Sequence, residues 1–401
     1  MTSFGSSPLL SAWRALLALA VVFVMLATTG WTAVQRQRGP GEPLKVTLDA
    51  WERGRIGARE LPSPDAPPKV LAAFFARLSA AQQDRLATGY PLVVGNLNGI
   101  PATLRYRANR LALMRAAKAE ERRTHDVRLS SDGRAQALSR MQSYEAMLGD
   151  GRQILAFDPS GRGRAAEVFG DLDHAQRVSV VIPGVDTNMI TFEKERNWYT
   201  APVGMAESLY AAEQAAGPGT RTAVIAWADY TAPAGLGMDA LIGKLAEAGA
   251  VRLGAFTASL PGDSRVSLFC HSYGSVVCGV AAHQLPARVS DVVVAGSPGM
   301  RARNAGQLHT DARVWAMRDR DDWIQDVPYL VVGGLGHGAD PMGRGFGARV
   351  VSAAGAIGHT GYFKPGTESL RNFAAIGVGA YTSVSCADNG TACRTGLPAA
   401  G

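Results

Sequence analysis

Between residues 153 and 352 the chain repeats one pattern: a short run of consecutive apolar, mostly β-branched residues, a polar turn, and a longer segment with helical spacing. Unbroken apolar runs suit strands buried on both faces, and helix-length connections suit parallel neighbours. Strands are expected at 154–157, 166–169, 178–182, 223–227, 266–269, 292–295, 314–317 and 349–352, with helices at 205–216, 239–260 and 275–284. The expected architecture is α/β, a doubly wound and mostly parallel sheet. Residues 70–150 have a different texture, dominated by helical periodicity and interrupted at Tyr90-Pro91 and by the Gly- and Asn-containing loop 95–101.

Residues 15–34 carry no charge and almost no polar side chain, a length that can cross a bilayer core as a helix. An uncleaved anchor is the favoured reading, because Trp31 stands at the third position before a cut after Ala33; a cleaved signal peptide is the alternative. Arg14 before the segment and Arg36 and Arg38 after it leave the orientation open. The organisation expected is a signal or transmembrane anchor over 1–38, a Pro- and charge-rich linker over 39–69, a helical N-terminal region over 70–150, an α/β catalytic domain over 151–380, and a C-terminal tail over 381–401.

The formal net charge of +7 is carried in part by Arg105, Arg107, Arg110, Arg115, Lys118, Arg122 and Arg123. A phosphate- or lipid-binding face is one reading. A solvated helix face is favoured, because Leu104, Ala108 and Leu111 give the segment an apolar stripe at helical spacing and no nucleic-acid motif accompanies the charge. Cys386 and Cys393 enclose a short polar loop that a disulfide would close in an oxidising, extracytoplasmic compartment. Whether Cys270 and Cys278 pair is left open by sequence. Neither pair has the spacing of a zinc knuckle, and no P-loop or dinucleotide-binding glycine pattern occurs in a convincing context, so no metal or other cofactor is expected.

The strongest chemical signal is a buried strand running into Cys270-His271-Ser272-Tyr273-Gly274-Ser275 and then an apolar helix. A serine on a sharp strand-to-helix turn is a nucleophile elbow, and Ser272 is the expected nucleophile. Oxyanion donors are expected from the Tyr273 amide and from the turn after 178–182, where Val185 is chosen with Asp186 close behind. The acid should follow a later strand: Asp322, anchored by the apolar residues after it, is chosen over Asp319 and Asp321, which read as loop-capping or solvated. For the base, His359 is chosen over His337, which reads as part of a mobile glycine-rich loop. His271 reads as a side chain that packs or bonds locally.

These residues give the chain a resemblance to an actinobacterial α/β-hydrolase family first catalogued as a domain of unknown function. The resemblance rests on the block from Tyr90 and Pro91 through Gly95, Asn96, Gly99, Pro101, Arg105 and Asn109, on Asp158, Pro159, Gly161 and Gly163, on Pro183, Gly184 and Val185, and on the His271-Ser272-Tyr273-Gly274 elbow, with Cys270 where the family pattern usually has glycine. It implies the α/β-hydrolase fold and the Ser272, Asp322 and His359 site, and adds little on substrate. The function expected is a serine hydrolase, esterase or lipase-like, acting on a small-molecule or lipid ester at or outside the membrane. A non-catalytic binding module and a serine acyltransferase or amidase are the alternatives. No nucleic-acid partner is expected.

Overall fold

The computed structural model describes residues 43–331, 335–388 and 390–397, all within the second of two units, Glu42–Gly401. Eight strands form one sheet: β1 Gln153–Asp158, β2 Arg164–Gly170, β3 Arg177–Ile182, β4 Thr222–Ala228, β5 Arg265–His271, β6 Val289–Ala295, β7 Arg313–Met317 and β8 Arg349–Val350. Their order is β8-β7-β6-β5-β3-β4-β2-β1, with β2 antiparallel to both neighbours and every other pairing parallel. Each strand expected from the apolar runs is present.

Alternate residues along each strand go to opposite faces, and both faces are apolar, which is why the strands read as runs. On one face Val180, Ile182, Trp227, Leu268 and Val294 pack under α9 Lys244–Ser259 and α10 Gly274–Ala281. On the other, Val181, Val224, Phe269, Val293 and Trp315 pack under α5 Ala102–Thr124, α6 Ser131–Met147, α7 Pro202–Ala216 and α11 Glu368–Val378. The helix expected over 239–260 is two helices, α8 Met238–Ile242 and α9, separated by Gly243 at φ +75°.

One expectation is corrected here. The stretch read as a linker is folded from Pro43 onward: α1 Pro43–Glu52 and a small hairpin bring Trp51, Ile56 and Leu61 into one core with α2 Pro68–Ala76, α3 Ala80–Gly89 and α4 Pro91–Val94. Its prolines punctuate the turns while three large apolar side chains supply the anchoring. Near the C-terminal end Cys386 and Cys393 form the disulfide expected of their loop; both are buried and pack beside β8, where Cys386 bridges Val351.

The block around Asn96 has a structural role at the sheet edge. Asn96 donates from Nδ2 to the Phe157 carbonyl at 2.8 Å and accepts from the Phe157 amide at 3.1 Å, while Asn109 donates to the Ile154 carbonyl at 2.9 Å. Side chains thereby satisfy the open edge of β1, which would otherwise present unpaired backbone groups. The apolar segment 15–34 lies outside the described residues, and no described helix is long and apolar enough to cross a membrane.

Candidate active site

Ser272 sits directly after β5 at φ +54°, a left-handed conformation for a residue with a side chain. Its amide donates to the Ala295 carbonyl at 3.0 Å, which ties the strained turn to the end of β6. The turn is tight enough to require its glycines. A Cβ on Gly274 would lie 2.3 Å from the Ile182 carbonyl oxygen, and one on Gly184 would lie 2.6 Å from Ser272 Cβ. Cys270, where the elbow pattern has glycine, points its side chain toward α10 and is joined to Cys278 by a disulfide, so the strand end and the helix are covalently clamped on either side of Ser272.

The structure brings Ser272, His359 and Asp322 together from the ends of β5, β8 and β7. His359 Nε2 lies 2.8 Å from Ser272 Oγ, and its Nδ1 lies 2.8 Å from Asp322 Oδ1. Asp322 has no exposed surface. Burial opposes its ionisation, but hydrogen bonds from His359 and Tyr362 outweigh that and hold the carboxyl below the ordinary carboxylate range. A carboxylate only accepts, so Nδ1–H donates to Asp322 and Nε2 is left to accept the Ser272 hydroxyl proton.

Of the amides expected to face the reacting carbonyl, those of Val185 and Tyr273 donate to no protein group among the described residues, whereas the Asp186 amide is taken up by the Pro233 carbonyl at 2.8 Å. Tyr230 steadies that loop, donating from its hydroxyl to the Pro183 carbonyl at 2.6 Å. Sequence reasoning missed the groups behind the three central residues. Tyr362 donates to Asp322 Oδ2 at 2.5 Å, and His271 Nε2 donates to the His359 carbonyl at 2.6 Å. Burial, reinforced by the nearby His359, pushes His271 down to about 3, so it stays neutral and acts as a fixed donor. Asp319 accepts from the Gly358 amide at 2.9 Å, a capping role consistent with its reading from sequence. His337 is corrected: rather than lying in a mobile loop it is buried, edge-on to Tyr273, with no hydrogen bond to Ser272.

An eight-stranded, mostly parallel sheet with a strained serine on the turn after β5 is the arrangement of the α/β-hydrolase fold. A family model described as an alpha/beta hydrolase matches residues 158–332, from the end of β1 past Asp322. The uncharacterized protein Rv2079 of Mycobacterium tuberculosis is 28% identical over 385 residues, covering 80% of this chain and 57% of its own. The uncharacterized protein Rv0963c of the same organism is 34% identical over 171 residues, 39% of this chain and 62% of its own. The chain thus spans little more than half the length of the first of these relatives. Among solved structures, the dienelactone hydrolase of Anabaena variabilis aligns over 42% of this chain and 73% of its own, at 18% identity and a TM-score of 0.28.

Proposed function

We propose that the protein is a serine hydrolase that cleaves a carboxylic ester through an acyl-enzyme on Ser272. The observation that carries this reading is the continuous hydrogen-bonded chain from Asp322 through His359 to Ser272 Oγ, on a turn whose strained backbone presents the hydroxyl. In attack, Ser272 Oγ bonds to the ester carbonyl carbon as its proton passes to His359 Nε2, and the Val185 and Tyr273 amides receive the oxyanion. The proton then goes to the leaving alkoxide, the alcohol departs, and water repeats the sequence on the acyl-enzyme to release the acid. Asp322 holds the imidazole in its tautomer and stabilises the imidazolium.

An apolar, lipid-like ester fits the surroundings. Trp323 packs against the His359 ring at a tilt, with centroids 4.6 Å apart, while 41% exposed, and Ile357, two residues before His359, is 68% exposed. The same reading puts the catalytic domain outside the cytoplasm, anchored through 15–34 or secreted if that segment is cleaved, and the two disulfides support an oxidising compartment. The test is labelling of the full-length protein by a fluorophosphonate probe. Wild type is expected to label, and Ser272→Ala and His359→Ala, checked for folding by circular dichroism, are expected not to. A folded wild type that stays unlabelled in detergent and on lipid vesicles alike would favour a non-catalytic binding module.

A further inference from the structure

Six of the seven basic residues expected on a solvated face of α5 do remain outside the core: Arg107, for instance, pairs with Asp84 at 2.7 Å, and Arg115 donates to the Thr88 carbonyl at 2.7 Å. Arg105 alone turns inward and is only 5% exposed. Its Nε donates to the Gly95 carbonyl at 3.2 Å, and among the described residues its two terminal nitrogens bond no protein atom and no carboxylate pairs with it. Asp229, the acidic group whose charge acts on it most strongly, is already held by Arg252, whose Nη2 lies 2.6 Å from both carboxylate oxygens. Those two nitrogens are not among the fully enclosed polar atoms that lack a partner, so they face solvent-reached space in which an anionic acceptor has room.

Arg105 lines a cleft of about 400 Å³ whose walls are otherwise largely apolar, built from Ala72 and Ala76 of α2 with Ile100, Leu155, Leu172 and Leu260. Among the described residues Asp173 is the only other charged one in its lining, and it is exposed. The cleft sits where β3 and β5 begin, whereas Ser272 follows the end of β5, so the two lie at opposite ends of the strands. One deep cation against an apolar wall selects a particular chemistry. We propose that this cleft is a second binding site, separate from Ser272, for a small carboxylate with an apolar body. The carboxylate would take the terminal nitrogens of Arg105 side by side, and the apolar body would cover Ala72, Ala76 and Leu155. A dianionic phosphate suits it less, since one cation is offered and Asp173 shares the lining.

The test uses the full-length protein and fluorobenzoate, followed by fluorine NMR, with neutral fluorobenzamide as control. Wild type and Ser272→Ala are expected to bind the acid and not the amide. Arg105→Gln is expected to weaken binding roughly tenfold or more, the worth of a charge-assisted hydrogen bond. Ala76→Leu, an exposed position where the larger side chain would fill the cleft and leave Arg105 in place, is expected to weaken it comparably, and decides the matter should Arg105→Gln not fold. Equal binding by both variants, equal binding of acid and amide, or displacement of the acid when fluorophosphonate modifies Ser272 would overturn the proposal.

Discussion

Asp322 is a buried carboxyl kept charged by converging donors: His359 Nδ1 at 2.8 Å, the Tyr362 hydroxyl at 2.5 Å and the Ile324 amide at 2.9 Å. Burial pushes its pKa up and these bonds pull it below the ordinary range. Tyr362→Phe removes one donor and keeps the ring, so the carboxyl should titrate at higher pH. Because the ionised carboxylate is the form that supports His359, the acid limb of an esterase pH profile should move upward in pH. Turnover at the optimum should fall roughly ten- to a hundred-fold with little change in KM, the effect of one hydrogen bond to a charge in the transition state. A profile identical to wild type would mean that Tyr362 only packs. The sequence made Ser272, Asp322 and His359 visible because an elbow needs small neighbours and a carboxylate and a histidine follow it in chain order. It concealed Tyr362 and His271, whose bonds span 40 and 88 residues and leave no local pattern.

Strands were the most legible elements, since two-sided burial writes itself as consecutive apolar residues. The break at Gly243 was not, because an apolar periodicity runs through it, and what marks the interruption is a backbone angle. The Cys270–Cys278 bond was open for a related reason: spacing says nothing about whether a strand end and a helix turn bring two side chains within bonding reach. Between elements the sharpest electrostatic feature is Glu213, which α7 buries against β3, where Ser179 donates to it. Burial raises its carboxyl from 4.5 to about 8, against the hydrogen bonds of Ser179 and Thr222 and the charge of Arg177. Since the folded pKa lies above the unfolded one, the native state holds a proton that the unfolded chain releases. This contribution to stability is whole below about 4.5 and is lost as pH rises through about 8. Glu213→Gln keeps the shape without the titration, so the gap between variant and wild-type urea midpoints should shift in favour of the variant across that window. Parallel midpoint curves would show that Glu213 is not protonated in the fold.

At the scale of the whole molecule, residues 43–69 belong to the folded body. A high proportion of proline and charge predicts a linker only if no large apolar side chain finds a slot, and here Trp51 does. It is fully buried, its Nε1 donates to the Pro62 carbonyl at 2.7 Å, and its ring meets Tyr90 edge-on at 5.4 Å. The helical layer it anchors reaches the sheet through Asn96 and Asn109 on the edge of β1. Trp51→Ala should therefore behave as a core truncation, costing roughly 3–5 kcal/mol, where the same change in a solvated linker would stay within about 0.5 kcal/mol. Hydrogen exchange can locate the loss. The Trp51 core is distinct from the two cores on the faces of the sheet, so protection should fall first in α1 to α4, with β5 and β6 keeping theirs and the fluorophosphonate labelling of Ser272 unchanged. Uniform loss of protection across the sheet would mean that the helical layer and the sheet unfold as one cooperative unit, and a wild-type exchange pattern would return residues 43–69 to the status of a linker.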